Sequence, residues 1–251
     1  MALDDVVAVL FRYGLTVVYI GIMIFFVRGY MKSKAAGLPN KFFLGFSIMF
    51  LAILGIIAST AIYETARLMF PGTASLSTPF PGYDDPAKQA QVGIFLNFCR
   101  PLFVLAFLAC NVMFAGQVYP LELAINWKKT PVTKLLLISG LATFFIFIPE
   151  ITYTIITPIL IVACIGSLVF GFFLNVGVNV HLFRISTGQI RRRSLFIILA
   201  FICFYLGFIW ALEVGWTKEF IPFATLKYDI VFGSIMQMVA ALFYWIGFRQ
   251  E

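Results

Sequence analysis

Two arginines lie inside long apolar runs of the sequence. Arg12 falls in the run 7–27, and Arg100 falls in the run 93–115. An ionisable side chain within an apolar span is costly, and it normally faces other protein groups or water rather than lipid. A guanidinium in such a place can pair with a carboxylate or hold a polar ligand. Arg12 and Arg100 are therefore the leading candidates for a functional role.

Carboxylates that could form ion pairs with these two arginines lie at the ends of other apolar runs. They are Glu64, Glu150, Glu213 and Asp229. With the topology derived below, all of these charged groups lie in the outer half of the membrane or at its outer surface. We predict that they form a charge network lining an outward-facing polar vestibule that binds a small ligand. The structural alternative is that both arginines extend toward the outer surface and pair with the acids for stability alone.

Amide side chains extend the candidate site. Asn97, Arg100 and Asn111 share one helical face, which would point into a helix bundle. Gln237 lies midway along the last apolar run, and we predict that it forms a hydrogen bond between helices. The complete predicted ligand-binding set is Arg12, Glu64, Asn97, Arg100, Asn111, Glu150, Glu213, Asp229 and Gln237.

A second polar pattern has strict four-residue spacing. It consists of Ala163, Ser167, Gly171, Asn175 and Asn179. Small residues allow helices to approach closely, and asparagine can bond across helices. The pattern is typical of a packing seam. The alternative is a polar pathway that runs toward the cytoplasm.

The composition indicates which elements must position these residues. Of the 251 residues, 62% are hydrophobic and 12% are charged, and the mean hydropathy is +1.00. An average soluble domain is about 25% charged, so this chain is neither a soluble globule nor a disordered protein. The apolar runs do not alternate with polar residues as barrel strands do. We predict an all-α, polytopic protein of the cell membrane with a single transmembrane domain over 1–251.

Seven apolar runs approach or exceed the roughly 20 residues that a spanning helix needs. The long run 132–181 is divided in two because Pro149, Glu150 and Pro158 interrupt it, and we predict a tight turn there. Pro86 and Pro131 are predicted to start the third and fourth helices. Loop 63–92 is expected outside, with no soluble domain. The predicted spans are 7–27, 42–62, 93–115, 132–148, 156–180, 194–212 and 229–247.

Basic residues set the orientation, because cytoplasmic loops are enriched in lysine and arginine. An outside N-terminus and a cytoplasmic C-terminus leave only Arg67, Lys88, Lys218 and Lys227 on the outer side. The same arrangement places twelve on the inner side: Arg28, Lys32, Lys34, Lys41, Lys128, Lys129, Lys134, Arg184, Arg191, Arg192, Arg193 and Arg249. This orientation requires an odd number of spans, which favours a bundle of seven transmembrane helices. The net charge of +7 then reflects topology, and no nucleic-acid partner is expected.

Catalytic and cofactor motifs are not found in the sequence. It has no metalloprotease helix signature, nucleophile elbow or phosphate-binding glycine loop. The one histidine, His181, cannot supply bis-histidine haem ligation or a histidine-based metal cluster. We therefore expect no enzymatic activity, no metal and no cofactor.

Two stretches, RGYMKSKAAGLPNKFFLGFSIMF and FRISTGQIRRRSLFIILAFICFYLGFIWAL, carry a resemblance. Their alternation of loop and span resembles the seven-helix, N-out sensor modules of membrane histidine kinases, and stand-alone, often archaeal, membrane proteins. The resemblance covers topology over most of the chain and carries no site residue with it. It implies reception of an outside or membrane-borne signal. Without a cytoplasmic output domain in the sequence, signalling would need a partner protein.

Three functions are compatible with these features. We favour a receptor-like sensor, because the charge within the spans collects on the outer side. Such a sensor would contact the lipid bilayer and a cytoplasmic or membrane protein partner, which could dock on the basic inner loops. The alternatives are a small solute transporter with a 3+1+3 helix bundle and a non-catalytic subunit of a membrane complex.

Overall fold

The computed structural model of the protein describes residues 3–69, 86–124, 129–146, 156–211 and 226–249. Within these ranges the chain is helical apart from short connections, and it contains no strand. The all-α prediction is therefore confirmed for the described residues. The helices are α1 (Leu3–Ala35), α2 (Lys41–Met69), α3 (Pro86–Ala124), α4 (Pro131–Ile146), α5 (Ile156–Ile185), α6 (Gly188–Ala211) and α7 (Leu226–Phe248).

Local residue chemistry sets several helix ends. Helices α3 and α4 begin at Pro86 and Pro131, as predicted, because proline is well suited to the first turn of a helix. Helix α1 is followed by Gly37, whose φ of 77° lies in the left-handed region that glycine adopts without strain. Helix α2 is capped by Asn40, whose Oδ1 accepts a hydrogen bond from the backbone nitrogen of Phe42 at 2.9 Å.

Four described segments are long and apolar enough to cross a membrane. They are Val6–Ala35, Lys41–Ile62, Val104–Leu123 and Ile230–Phe248. Two shorter apolar segments, Pro131–Leu141 and Val169–Ile185, lie in α4 and α5. These are separate helices, as the predicted interruption requires, although the turn itself at 147–155 lies outside the described residues. The described chain thus has several helices whose length and composition are compatible with a multi-pass membrane protein.

The chain divides into two compact units. The first contains Met1–Val18, Ile57–Leu102 and Ile185–Glu251, and the second contains Tyr19–Ile56 and Phe103–Arg184. Each unit combines segments that are distant in the sequence. Each is therefore held together by packing between helices rather than by local chain connections.

In the second unit, α3 packs against three other helices at glycines. A Cβ on Gly116 of α3 would lie 2.8 Å from the carbonyl oxygen of Gly45 in α2. A Cβ on Gly140 of α4 would lie 2.9 Å from a side chain of α3, and one on Gly171 of α5 would lie 2.7 Å from the Phe114 ring. Only residues without a side chain permit such close approach.

Aromatic rings join α1 to α2 in the same unit. Phe26 of α1 is fully buried, and its ring stacks on Phe46 and Phe50 of α2 with centroid distances of 5.4 and 4.9 Å. Tyr19 lies about two turns earlier on α1, and its ring centroid is 6.1 Å from that of Phe50. Such offset ring pairs add to the free energy gained from burying the rings.

In the first unit, α6 and α7 pack against each other along much of their length. A Cβ on Gly207 of α6 would lie 2.6 Å from the carbonyl oxygen of Gly233 in α7. A Cβ on Gly247 of α7 would lie 2.9 Å from the Cβ of Phe196 in α6. Because the early part of α6 meets the late part of α7, the two helices are antiparallel.

The substitution Gly45→Ala tests the close approach of α2 and α3. The added methyl group would collide with the carbonyl oxygen of Gly116, which is backbone and cannot move aside. We expect the free energy of unfolding to fall by about 1–3 kcal/mol, as measured by chemical unfolding in detergent micelles.

The matched control is Gly21→Ala on α1, where an added Cβ meets nothing within 4 Å. This variant should keep or slightly raise stability, because alanine favours a helix over glycine. Equal effects of the two substitutions would contradict the contact.

Candidate functional site

The site predicted around Arg12 contains a hydrogen bond between two distant helices. Arg12 of α1 and Gln237 of α7 are only 3% and 1% exposed. Nη1 of Arg12 donates to Oε1 of Gln237 over 3.4 Å. The prediction that Gln237 bonds between helices is thereby confirmed. The two residues are called the Arg12–Gln237 pair below.

Small neighbours allow three helices to meet at this pair. Gly14 of α1 lies opposite Met238, whose Cε would be 3.7 Å from an added Cβ. Gly207 of α6 is tighter, because an added Cβ would lie 2.9 Å from Cγ of Gln237. A larger residue at 207 would displace the Gln237 side chain. The pair therefore depends on the glycine in α6 as well as on its own two helices.

Other polar groups near the pair in sequence are bonded within their own helices. Thr16 Oγ1 donates to the carbonyl oxygen of Arg12 at 3.0 Å. Ser234, fully buried one turn before Gln237, donates from Oγ to the carbonyl oxygen of Ile230 at 2.8 Å. Hydroxyls satisfied in this way can lie in an apolar interior at little cost.

Within the pair, a cationic donor meets a neutral acceptor. The guanidinium of Arg12 is almost fully removed from solvent, and Gln237 offers it the partial charge of an amide oxygen. A guanidinium presents a planar fork of donors that matches a carboxylate or a phosphate. In chemical terms, the arrangement can bind an anion.

Most of the remaining predicted site residues lie outside the described part of the structure. The side chains of Glu64, Asn97, Arg100 and Asp229 lie outside its described part, and so do residues Glu150 and Glu213. The predicted charge network and its vestibule therefore remain predictions.

Asn111 belongs to a separate contact within the second unit. It is fully buried on α3, and its Oδ1 accepts a hydrogen bond from Oγ of Ser139 in α4 at 2.9 Å. The same hydroxyl also lies 2.9 Å from the carbonyl oxygen of Leu136. Asn111 therefore faces the interior, as predicted, and binds a neighbouring helix.

The polar stripe of α5 has the contacts of a packing seam. Gly171 lies against the ring of Phe114 on α3. Nδ2 of Asn175 donates to the carbonyl oxygen of Gly171, and Nδ2 of Asn179 donates to that of Asn175, each at 2.8 Å. Both amides thus bond within α5 itself. The other two members, Ala163 and Ser167, have side chains outside the described part.

One buried acid that the sequence did not single out joins two helices. Glu122, at the end of α3, is 3% exposed. Its carboxylate accepts hydrogen bonds from the backbone nitrogens of Val132 and Thr133 at 2.7 and 3.1 Å, and from Oγ1 of Thr133 at 2.6 Å. An acidic residue shortly before the Thr130-Pro131 helix start was the available signal, since the N-terminus of a helix attracts negative charge.

A second buried residue that the sequence argument did not single out is Gln117 of α3. It is 4% exposed, and its Nε2 contacts Sδ of Met49 on α2. Its Oε1 has no hydrogen-bond partner within the described structure. Gln117 follows Gly116, at which α3 closely approaches α2. Its side-chain amide is therefore buried beside this helix contact.

The energetic link between Arg12 and Gln237 can be tested with a double-mutant cycle. Gln237→Leu removes an acceptor from a buried cation, whereas Arg12→Met combined with Gln237→Leu removes both polar groups. We expect the double variant to be more stable than Gln237→Leu alone, with a coupling free energy of about 1–2 kcal/mol. Unfolding of all variants in detergent micelles would measure this value.

The matched control is the exposed pair Tyr13 and Thr65, whose hydroxyl oxygens lie 3.1 Å apart between α1 and α2. A Tyr13→Phe and Thr65→Val cycle should give a much smaller coupling, because the Thr65 hydroxyl also bonds to the carbonyl oxygen of Ala61 in its own helix, at 2.8 Å. Additive effects at Arg12 and Gln237 would mean that the buried hydrogen bond contributes nothing.

The described residues contain no group of three or more His, Cys, Asp or Glu side chains that could hold a metal ion. Cys110 and Cys203 are free thiols.

Comparison of the chain with protein-family models, with curated proteins and with solved structures finds no match. Function must therefore be inferred from the residues themselves, above all from the Arg12–Gln237 pair.

Proposed function

We propose that this protein is a receptor-like sensor of the cell membrane, without enzymatic activity. In this proposal a small anion binds in an outward-facing polar vestibule at Arg12, and the signal passes to a partner protein. The observation that carries the proposal is the buried Arg12–Gln237 contact between α1 and α7.

The cost of a buried arginine supports a functional role. An arginine at the centre of a membrane helix costs roughly 2.5–3.5 kcal/mol on insertion scales, and Arg12, predicted in the outer half, would carry part of this cost. An apolar residue at position 12 would avoid this cost. An anion-binding centre requires a cation at this position. It also requires a neighbouring group that holds the guanidinium in place, as Gln237 does.

The transporter alternative has weaker support. A transporter needs a polar path, and the candidate path runs along Asn175 and Asn179. Their amide nitrogens donate to carbonyl oxygens of their own helix, as seam residues do.

The third alternative, a complex subunit, needs an apolar face unsuited to lipid. Exposed apolar residues of α1, such as Leu10 and Val17, are equally suited to contact lipid.

Anion binding at Arg12 can be tested with the full-length protein in nanodiscs. Acetate, benzoate and phosphate serve as probes, and thermal unfolding is the readout. An anion present at about 100 times its Kd should stabilise the protein by about 2.7 kcal/mol. Arg12→Gln should abolish the shift, and Arg12→Lys should retain part of it.

The matched control is Arg28→Gln, which removes an arginine from the same helix at an exposed position. It should leave the anion-induced shift unchanged. The proposal fails if none of the probes stabilises the wild type, or if Arg12→Gln responds as the wild type does.

The proposed orientation has its own test. In a background without native cysteines, Ser77→Cys lies in the predicted outer loop 63–92, and Thr187→Cys lies between α5 and α6. We expect a membrane-impermeant maleimide to label position 77 in intact cells, and position 187 only after permeabilisation. Labelling of both from one side would contradict the odd number of spans between them. The reverse pattern would place the Arg12 end inside.

A further inference from the structure

Four arginines gather at one end of the α6–α7 pair. Arg191, Arg192 and Arg193 lie in the first two turns of α6, and Arg249 directly follows the last residue of α7. The Arg193 guanidinium carbon lies 5.8 Å from the ring centroid of Phe248 in α7, which joins the two helix ends. These four residues are called the arginine cluster.

Aromatic rings hold three of these guanidinium groups. Besides the Arg193 contact with Phe248, Arg192 lies 5.8 Å from the ring centroid of Phe196, and Arg249 lies 5.0 Å from that of Trp245. A guanidinium over a ring face gains cation–π attraction while its edge can still donate hydrogen bonds. Trp245 is itself partly exposed, as tryptophans at a membrane–water interface are.

Exposed apolar side chains stand beside the charges. Ile185 and Ile190, which flank the short connection from α5 to α6, are 64% and 56% exposed. Arg191, Arg192 and Arg249 are exposed as well. The sequence contains no aspartate or glutamate between residues 151 and 212, so the stretch before and through α6 carries only positive charge.

This combination distinguishes a lipid surface from other anionic partners. The cluster stands at the end of the candidate membrane span Ile230–Phe248. A helix that crosses the bilayer ends at about the depth of the lipid phosphates. Isoleucines can enter the acyl region there while arginines contact headgroups. A soluble nucleic acid would leave these isoleucines in water.

We propose that the arginine cluster is a binding site for the phosphate of an anionic phospholipid headgroup. The site is independent of the proposed anion site at Arg12. The guanidinium groups provide planar donors for phosphate oxygens, the rings fix their direction, and Ile185 and Ile190 contact the acyl chains.

The test measures lipid binding to the purified full-length protein in detergent by native mass spectrometry. The probes are phosphatidylglycerol and the zwitterionic phosphatidylcholine of matched chains. Wild type should prefer phosphatidylglycerol. Each arginine changed to glutamine should weaken that binding about fivefold, the effect of removing one cationic residue at a membrane surface. Arg191→Gln with Arg192→Gln should therefore lose about 25-fold.

Two further variants keep the test decisive. Arg249→Gln lies beyond the last helical residue and should fold normally while losing about fivefold. Lys32→Gln with Lys34→Gln removes two charges from the end of α1 and should leave phosphatidylglycerol binding unchanged. An equal loss in this lysine control would show general charge attraction and overturn the site.

Inorganic phosphate distinguishes a lipid from a free anion. The proposal expects excess phosphate to leave phosphatidylglycerol bound, because the acyl contacts persist. Complete displacement by inorganic phosphate would assign the cluster to a soluble phosphate instead. Equal binding of the two lipids by the wild type would likewise overturn the proposal.

Discussion

A polar group inside a water-poor, apolar interior must find its hydrogen-bond partner within the protein, and this constraint organises both units. Arg12 meets Gln237 between α1 and α7, and Asn111 meets Ser139 between α3 and α4. An apolar contact can slide by a residue with little loss, but each of these hydrogen bonds exists in one register only. The few buried polar residues therefore specify which helices are neighbours in their unit.

Glycines make those polar contacts geometrically possible. Gly207 brings α6 against the Gln237 side chain, and Gly140 brings α4 against Asn111. In lipid, the association of helices gains little from the hydrophobic effect, so close packing must supply much of the attraction. Glycine and polar residue thus act together: the first permits the approach, and the second fixes its register. A functional centre at Arg12 depends on this arrangement, because the cation is held by a helix far from it in the sequence.

The features that could be predicted from the sequence are those with a local cause. Proline places the starts of α3 and α4, and the long apolar runs predict helices with membrane-spanning length. A lone amide in an apolar run predicted that Gln237 would bond between helices. Its partner could not be predicted, because Arg12 is 225 positions away and only packing brings the two together. The role of Glu122 was missed because α3 continues past the predicted span end at residue 115, through Pro120, to Ala124.

The two hydrogen-bonded contacts between α3 and α4 have a mechanical consequence. Glu122 accepts hydrogen bonds from the first turn of α4, and Asn111 accepts one from Ser139 further along α4. The two anchor points on α3 are separated by three helical turns, about 16 Å along the axis. Rotation or sliding of α4 along α3 would break the hydrogen bonds at both points. The two contacts therefore favour joint movement of α4 and the part of α3 that it contacts.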